Sequence, residues 1–134
     1  MKSILFIDHD EDIRHYLSHS EDIAQDKGLN IRIASSVQEA EDLFGKEMFD
    51  GIVIDAVTPG ANKIFPFIKR VRNLRSELPI TALVGFVDMI LDEQLKQNLK
   101  DERITIVDKI QALRPENIME LFKSSGDKPK EEEL

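Results

Sequence analysis

The sequence predicts an α/β fold built on a doubly wound parallel sheet, and three observations predict it. Short Ile/Val-rich runs recur five times along the chain. They show little polar alternation, the pattern of parallel strands covered on both faces. Segments with apolar residues at helical spacing lie between them, so the order reads β-α five times. That alternation implies one sheet with helices on both sides.

The strand candidates are residues 3–8, 30–34, 52–55, 80–85 and 104–108. The first helix is expected from about Asp10, where Ile13, Tyr16, Leu17, Ser20 and Ala24 recur at helical spacing and Gly28 makes a stop. Ser36 and Glu39 form a capping box ahead of Ala40, Leu43 and Phe44. Ile64, Phe67, Ile68, Val71 and Leu74 line one face of the third helix. Pro66 is expected in its first turn, because proline donates no interior hydrogen bond. Val87, Leu91, Leu95 and Leu99 form the stripe of a fourth helix, and Pro115 opens a fifth carrying Ile118, Leu121 and Phe122. Residues 124–134, "SSGDKPKEEEL", lack apolar periodicity and read as a disordered charged tail or the start of a linker, which leaves residues 1–123 as one domain.

The bulk properties narrow the function classes. A chain of 134 residues suits one domain with an ordinary core. Its formal charge of -8 argues against non-specific binding to nucleic acid or anionic membrane. It has no cysteine, which excludes disulfides and thiolate metal sites. The longest apolar run, residues 80–87, is too short to cross a bilayer, and the first residues lack the length of a signal peptide. A soluble cytoplasmic protein is expected.

The informative stretch is "GIVIDAVTPG", residues 51–60. An apolar strand ends on one carboxylate, Asp55, and a buried carboxylate costs several kcal/mol or shifts its pKa unless something pairs with it. Strand one ends in Asp8, and strand five ends in Asp108 followed by Lys109. Open α/β sheets bind ligands at the carboxyl ends of their strands, where the strand order reverses. If strands one and three are neighbours, Asp8 and Asp55 share a crevice that the long side chain of Lys109 can reach. Two close carboxylates need a hard cation, a proton or an ammonium partner.

Four landmarks now stand in order: Asp8 in "IDHDED", Asp55 with Pro59 and Gly60 in "IVIDAVTPG", the "LPITALVG" strand, and Lys109 in "VDK". With them the chain resembles the receiver domain of two-component response regulators over residues 3–122. The resemblance implies a flavodoxin-like (βα)5 sandwich with strand order 2-1-3-4-5. It implies that Asp55 accepts a phosphoryl group from a histidine kinase, a phosphotransfer protein or a small phosphodonor. It implies Mg²⁺ held by Asp8, Asp55 and the backbone carbonyl of Val57, with Lys109 pairing to the phosphoryl oxygens. No enzymatic activity is expected beyond self-phosphorylation and autodephosphorylation at Asp55. The family's partner and dimer face, formed by helix four, strand five and helix five, would here carry Met89, Ile90, Ile106 and Ile110.

The sequence also departs from the family. The second acid after strand one is His9, and imidazole is a poor ligand for a small cation that prefers oxygen. His9 could instead serve as a pH-sensitive cation beside the site. Asp10 is the alternative oxygen donor, although the family often has an acid there with no metal role. The hydroxyl expected at the end of strand four is replaced by Val84, and the strand-five aromatic by Ile106. The proline that often follows the lysine is Ile110. Two functions are therefore carried forward: a phosphoacceptor receiver with an altered metal site and switch, and a phosphorylation-independent receiver-like module that works by protein contacts.

Other readings are weaker. A flavin binder would need glycine or hydroxyl residues after strand one, where "DHDED" would repel phosphate. No nucleophile–base–orienter set suggests a hydrolase. His15 and His19 have zinc-compatible i, i+4 spacing without a third ligand, so they read as exposed histidines. Lys69, Arg70, Arg72 and Arg75 read as a solvated helix flank.

Overall fold

The computed structural model describes residues 1–56, 61–85 and 93–127, with the backbone alone at 61–63. Five strands, β1 (Lys2–Ile7), β2 (Leu29–Ala34), β3 (Gly51–Asp55), β4 (Ile80–Val84) and β5 (Thr105–Asp108), pair in parallel in the order β2-β1-β3-β4-β5. This is the flavodoxin-like order expected from the resemblance. Every residue of β3 and β4 is buried, which explains why those runs carry no polar alternation.

The described helices are α1 (Glu11–Ser18), α2 (Glu21–Asp26), α3 (Val37–Lys46), α4 (Ala61–Leu74), α5 (Glu93–Asp101), α6 (Lys109–Ala112) and α7 (Ile118–Ser125). Alternate strand residues feed two cores. On one face Leu5, Ile52, Ile54 and Ala82 pack with Ala40 of α3, Phe67 and Val71 of α4, and Leu95 and Leu99 of α5. On the other, Ile4, Phe6, Val53 and Leu83 pack with Leu17, Ala24, Leu121 and Phe122. Val87 and Leu91 of the expected fourth stripe lie outside the described residues.

Several elements differ from the sequence reading, each for a local reason. The first helix is two helices. Ser18 donates its hydroxyl to the carbonyl of His15, and the Ser20 amide bonds Leu17 three residues back, so the α-helical ladder stops at residue 18. Pro66 is in the second turn of α4, not the first, because the helix already begins at Ala61. Pro66 is exposed, so solvent can replace the missing donor. Leu74 is not on the buried stripe. It ends α4 with 73 % exposure, and Leu78 in the following turn is buried in that core instead. Pro115 precedes α7 in a turn where Arg114 accepts from the amides of Asn117 and Ile118. The Ser36 hydroxyl caps α3 at the Glu39 amide, but Glu39 turns to the amide and hydroxyl of Ser35.

At the foot of the sheet, α7 lies directly over the start of β3. It runs to Ser125, two residues past the boundary expected at 123, and Ser125 is buried with its hydroxyl 3.4 Å from that of Thr81. A Cβ on Gly51 would sit 1.9 Å from the Ser125 carbonyl oxygen, so only glycine fits there. Nearby, Arg103 holds a left-handed φ of 59° after α5. The amides of Arg103 and Ile104 bond back to Lys100 and Leu99, a Schellman end. Arg72 braces that turn by donating to the carbonyls of Leu78, Glu102 and Arg103.

Candidate functional site

The site lies at the carboxyl ends of the strands, where the strand order reverses between β1 and β3. The register pairs Ile7 with Ile54, so the next residues, Asp8 just past β1 and Asp55 at the end of β3, stand side by side at the sheet's rim. The Asp8 side chain is fully buried and that of Asp55 is 5 % exposed. Lys109 is the first residue of α6, a turn capped by Asp108, whose carboxylate accepts from the Ile110 amide. Its ammonium is 3.0 Å from Asp8 Oδ2 and 3.2 Å from Asp55 Oδ2. The three residues singled out in the sequence therefore meet at one point.

The electrostatics follow from that geometry. Burial is the largest single influence on Lys109 and by itself lowers its pKa. The contacts with Asp8 and the charge of Asp55 together outweigh it, so the pKa is raised above the ordinary lysine value. Asp8 Oδ1 accepts the Asp10 amide at 2.9 Å. Asp8 Oδ2 has only the ammonium beside it, with no donor aligned for a hydrogen bond among the described residues.

His9 completes the cluster. Its Nδ1 is 3.7 Å from Asp55 Oδ2 and 4.0 Å from Asp8 Oδ1, and its side chain is 40 % exposed. Asp10 does not join it. The Asp10 carboxylate caps α1 by accepting from the amides of Asp12 and Ile13, which points it along the helix axis. Among the described residues, Asp8, His9 and Asp55 are the one group of three that could hold a metal ion, with ligand atoms within 4.8 Å of one another. The two carboxylates are oxygen donors of the kind a hard divalent cation such as Mg²⁺ takes, and such an ion would share them with the Lys109 ammonium. The imidazole nitrogen does not belong to the all-oxygen set that Mg²⁺ prefers. Val57, the expected backbone ligand, lies outside the described residues.

The two positions that the resemblance would make a switch are apolar in space as well as in sequence. Val84 is fully buried in the core shared by Ala56 and Ile64, and Ile106 is half-buried against the same core. Ile110 is 67 % exposed, while Met89 and Ile90 lie outside the described residues. His15 and His19 stack edge to face on the surface, with their Nε2 atoms 3.2 Å apart. The basic run of α4 and the residue after it is largely engaged: Arg72 and Arg75 donate to backbone carbonyls, and Arg70 pairs with Glu41. The sequence reading missed Arg14, whose guanidinium donates to the carbonyls of Asp8 and His9 at 3.2 and 2.6 Å and so fixes the acidic loop. The available signal was its place one turn into the helix that the loop opens.

No protein-family model and no curated protein sequence matches the chain. Solved structures do. The chemotaxis protein CheY4 of Vibrio cholerae is 26 % identical, with a TM-score of 0.72 over 93 % of this chain and 98 % of that one. The HemR receiver domain of Leptospira biflexa is 19 % identical, with a TM-score of 0.71 over 98 % of both chains. A response regulator receiver domain from Clostridium thermocellum is 16 % identical, with a TM-score of 0.69 over 93 % of this chain and 94 % of that one. The chain thus has the receiver fold of the response regulators along nearly its whole length.

Proposed function

We propose that this chain is a phosphoacceptor module of a phosphorelay, in which Asp55 accepts a phosphoryl group from a histidine kinase or a phosphotransfer protein. One observation carries the reading: a single ammonium lies between two buried carboxylates at the strand ends, 3.0 Å from Asp8 and 3.2 Å from Asp55. An Asp55 oxygen attacks phosphorus, the bond from phosphorus to the donor's imidazole nitrogen breaks, and that electron pair leaves with the nitrogen. The product is an acyl phosphate on Asp55. Lys109 then pairs with the phosphoryl oxygens, while Asp8 stays a fixed negative charge that keeps the ammonium in place. A bound divalent cation would neutralise phosphoryl charge, and Asp8, Asp55 and His9 are the side chains placed to hold it. His9 forms the exposed side of the cluster, so the donor approaches there.

A second reading is favoured by Val84 and Ile106. With no hydroxyl at Val84 and an aliphatic side chain at Ile106, modification of Asp55 has no hydroxyl–aromatic pair to move. The chain would then act through protein contacts alone, with a second copy or a partner on the face that carries Ile110. Neither reading calls for a catalytic turnover of substrate. Among the described residues, no helix is long and apolar enough to cross a membrane.

Incubation with acetyl phosphate and either Mg²⁺ or Mn²⁺, followed by intact-mass measurement, separates the two. Addition of one phosphoryl mass, lost in Asp55→Asn, supports the phosphoacceptor. No added mass under either cation, with Asp55→Asn indistinguishable from wild type, leaves the contact module.

A further inference from the structure

We infer that the cluster of Asp8, His9 and Asp55 selects a borderline divalent transition cation over Mg²⁺, with His9 as a direct nitrogen ligand. The inference deepens the phosphoacceptor reading and concerns the same site. Three observations support it. The imidazole Nδ1 lies 3.7 Å from Asp55 Oδ2 and 4.0 Å from Asp8 Oδ1. The ligand atoms of Asp8, His9 and Asp55 lie within 4.8 Å of one another, with both carboxylates buried. Asp10, the oxygen donor that could have replaced a missing acid, is committed to the α1 cap.

The donor chemistry then decides the ion. Mg²⁺ demands oxygen ligands in near-ideal octahedral geometry and gives up water reluctantly. Two carboxylates and one imidazole form a mixed set suited to Co²⁺ or Zn²⁺, which take imidazole nitrogen far more readily than Mg²⁺ or Mn²⁺. Ligands bound to one such ion at about 2.1 Å sit roughly 3 Å apart. The two His9 separations, 3.7 and 4.0 Å, therefore need to close by about 1 Å or less, which rotation of the half-exposed His9 side chain supplies, and the two carboxylates, within 4.8 Å, need to draw together as well. The ion would share the carboxylates with Lys109, which already balances part of their charge at 3.0 and 3.2 Å.

The test uses the full chain and metal ions alone, with no phosphodonor. His15 and His19 are first replaced by glutamine in every protein, since their paired Nε2 atoms, 3.2 Å apart, would chelate the same ions. Mg²⁺ and Co²⁺ are titrated calorimetrically, and the visible absorption of Co²⁺ is recorded as a reporter of nitrogen ligation. Co²⁺ is expected to bind more tightly than Mg²⁺. His9→Asp, which restores an all-oxygen set, is expected to lower the Co²⁺-to-Mg²⁺ affinity ratio about tenfold or more and to change the cobalt spectrum. His9→Ala should weaken Co²⁺ while leaving Mg²⁺ within about threefold. Melting curves for both variants confirm the fold, and position 9 is exposed enough to accept either residue. An unchanged ratio and spectrum in His9→Asp, or no binding of either ion, overturns the inference. Phosphoryl labelling is measured separately. Loss of labelling with His9-dependent cobalt binding intact refutes only the phosphoacceptor reading, and labelling with a His9-independent metal ratio refutes only this one.

Discussion

Replacing Lys109 with methionine probes the charge balance on which the site rests. The substitution keeps the length and apolar stem of the side chain and removes the ammonium. Asp8 and Asp55 are then left with carboxylate oxygens within 4.8 Å of each other and almost no solvent. Their mutual repulsion, about 3.5 kcal/mol at an effective dielectric near 20, is present in both proteins; what the substitution removes is the ammonium's attraction at 3.0 and 3.2 Å, about 5 kcal/mol to each carboxylate before the cost of desolvating the three charges is taken off. Part of this is recovered because Lys109 no longer has to be desolvated, so a net loss of about 2–3 kcal/mol is expected at pH 7.5. Urea unfolding measures it as a lower midpoint at unchanged m-value.

The pH dependence gives a second, independent readout. The Lys109 pKa is raised in the folded protein, so its contribution is fully present below the unfolded value of 10.5 and is lost as pH rises through the folded value. The gap between wild type and Lys109→Met should therefore persist from neutral pH to about 10.5 and narrow above it. Tyr16 is also raised, by burial and then by Glu116, but it titrates in both proteins and cancels in the comparison. Equal stability of the two proteins at pH 7.5, or a gap that stays constant through pH 11.5, would refute the claim that this ammonium neutralises the buried pair.

Three further outcomes follow from the packing and the caps. Gly51→Ala places a methyl group 1.9 Å from the Ser125 carbonyl oxygen, so α7 must shift and stability should fall by at least about 2 kcal/mol in thermal melts. A variant as stable as wild type would show that α7 is not docked over β3. Asp10→Ala removes the α1 cap and should cost about 1 kcal/mol. Its divalent-ion affinity, followed by calorimetry, should match wild type, because the Asp10 carboxylate bonds the α1 amides and stands outside the cluster. Arg72→Met leaves the carbonyls of Leu78, Glu102 and Arg103 without their donor and should cost about 2–3 kcal/mol, read as faster amide exchange at Arg103 and Ile104 as well as a lower midpoint.

Much of this molecule is legible in its sequence because the signals are local or periodic. The Ile/Val runs become β1 to β5 within a residue or two of the expected ends, and Leu17, Phe67 and Phe122 are buried as their spacing requires. The strand-end carboxylates were readable because Asp8 and Asp55 each interrupt an apolar run that has no local use for a charge. The misreadings involve choices among nearly equal local options. Ser18 and Ser20 can continue a helix or break it, and the bonds to His15 and Leu17 decide for the break. Leu74 satisfies the helical period, yet Leu78 fills the core from the next turn. Asp10 and His9 are adjacent polar residues in one loop, and only the direction in which that loop enters α1 tells a cap from a metal ligand.

The sequence alone determined the layered α/β architecture, because burial on both faces of a strand leaves its mark residue by residue. It also determined which acids and which lysine were anomalous. Tertiary structure alone decided that the Lys109 ammonium lies within 3.2 Å of both carboxylates, that His9 and not Asp10 faces them, and that Arg14 holds their loop from behind. Such contacts join residues up to about a hundred positions apart, and their distances depend on strand register and loop direction, quantities that no short stretch of chain encodes by itself.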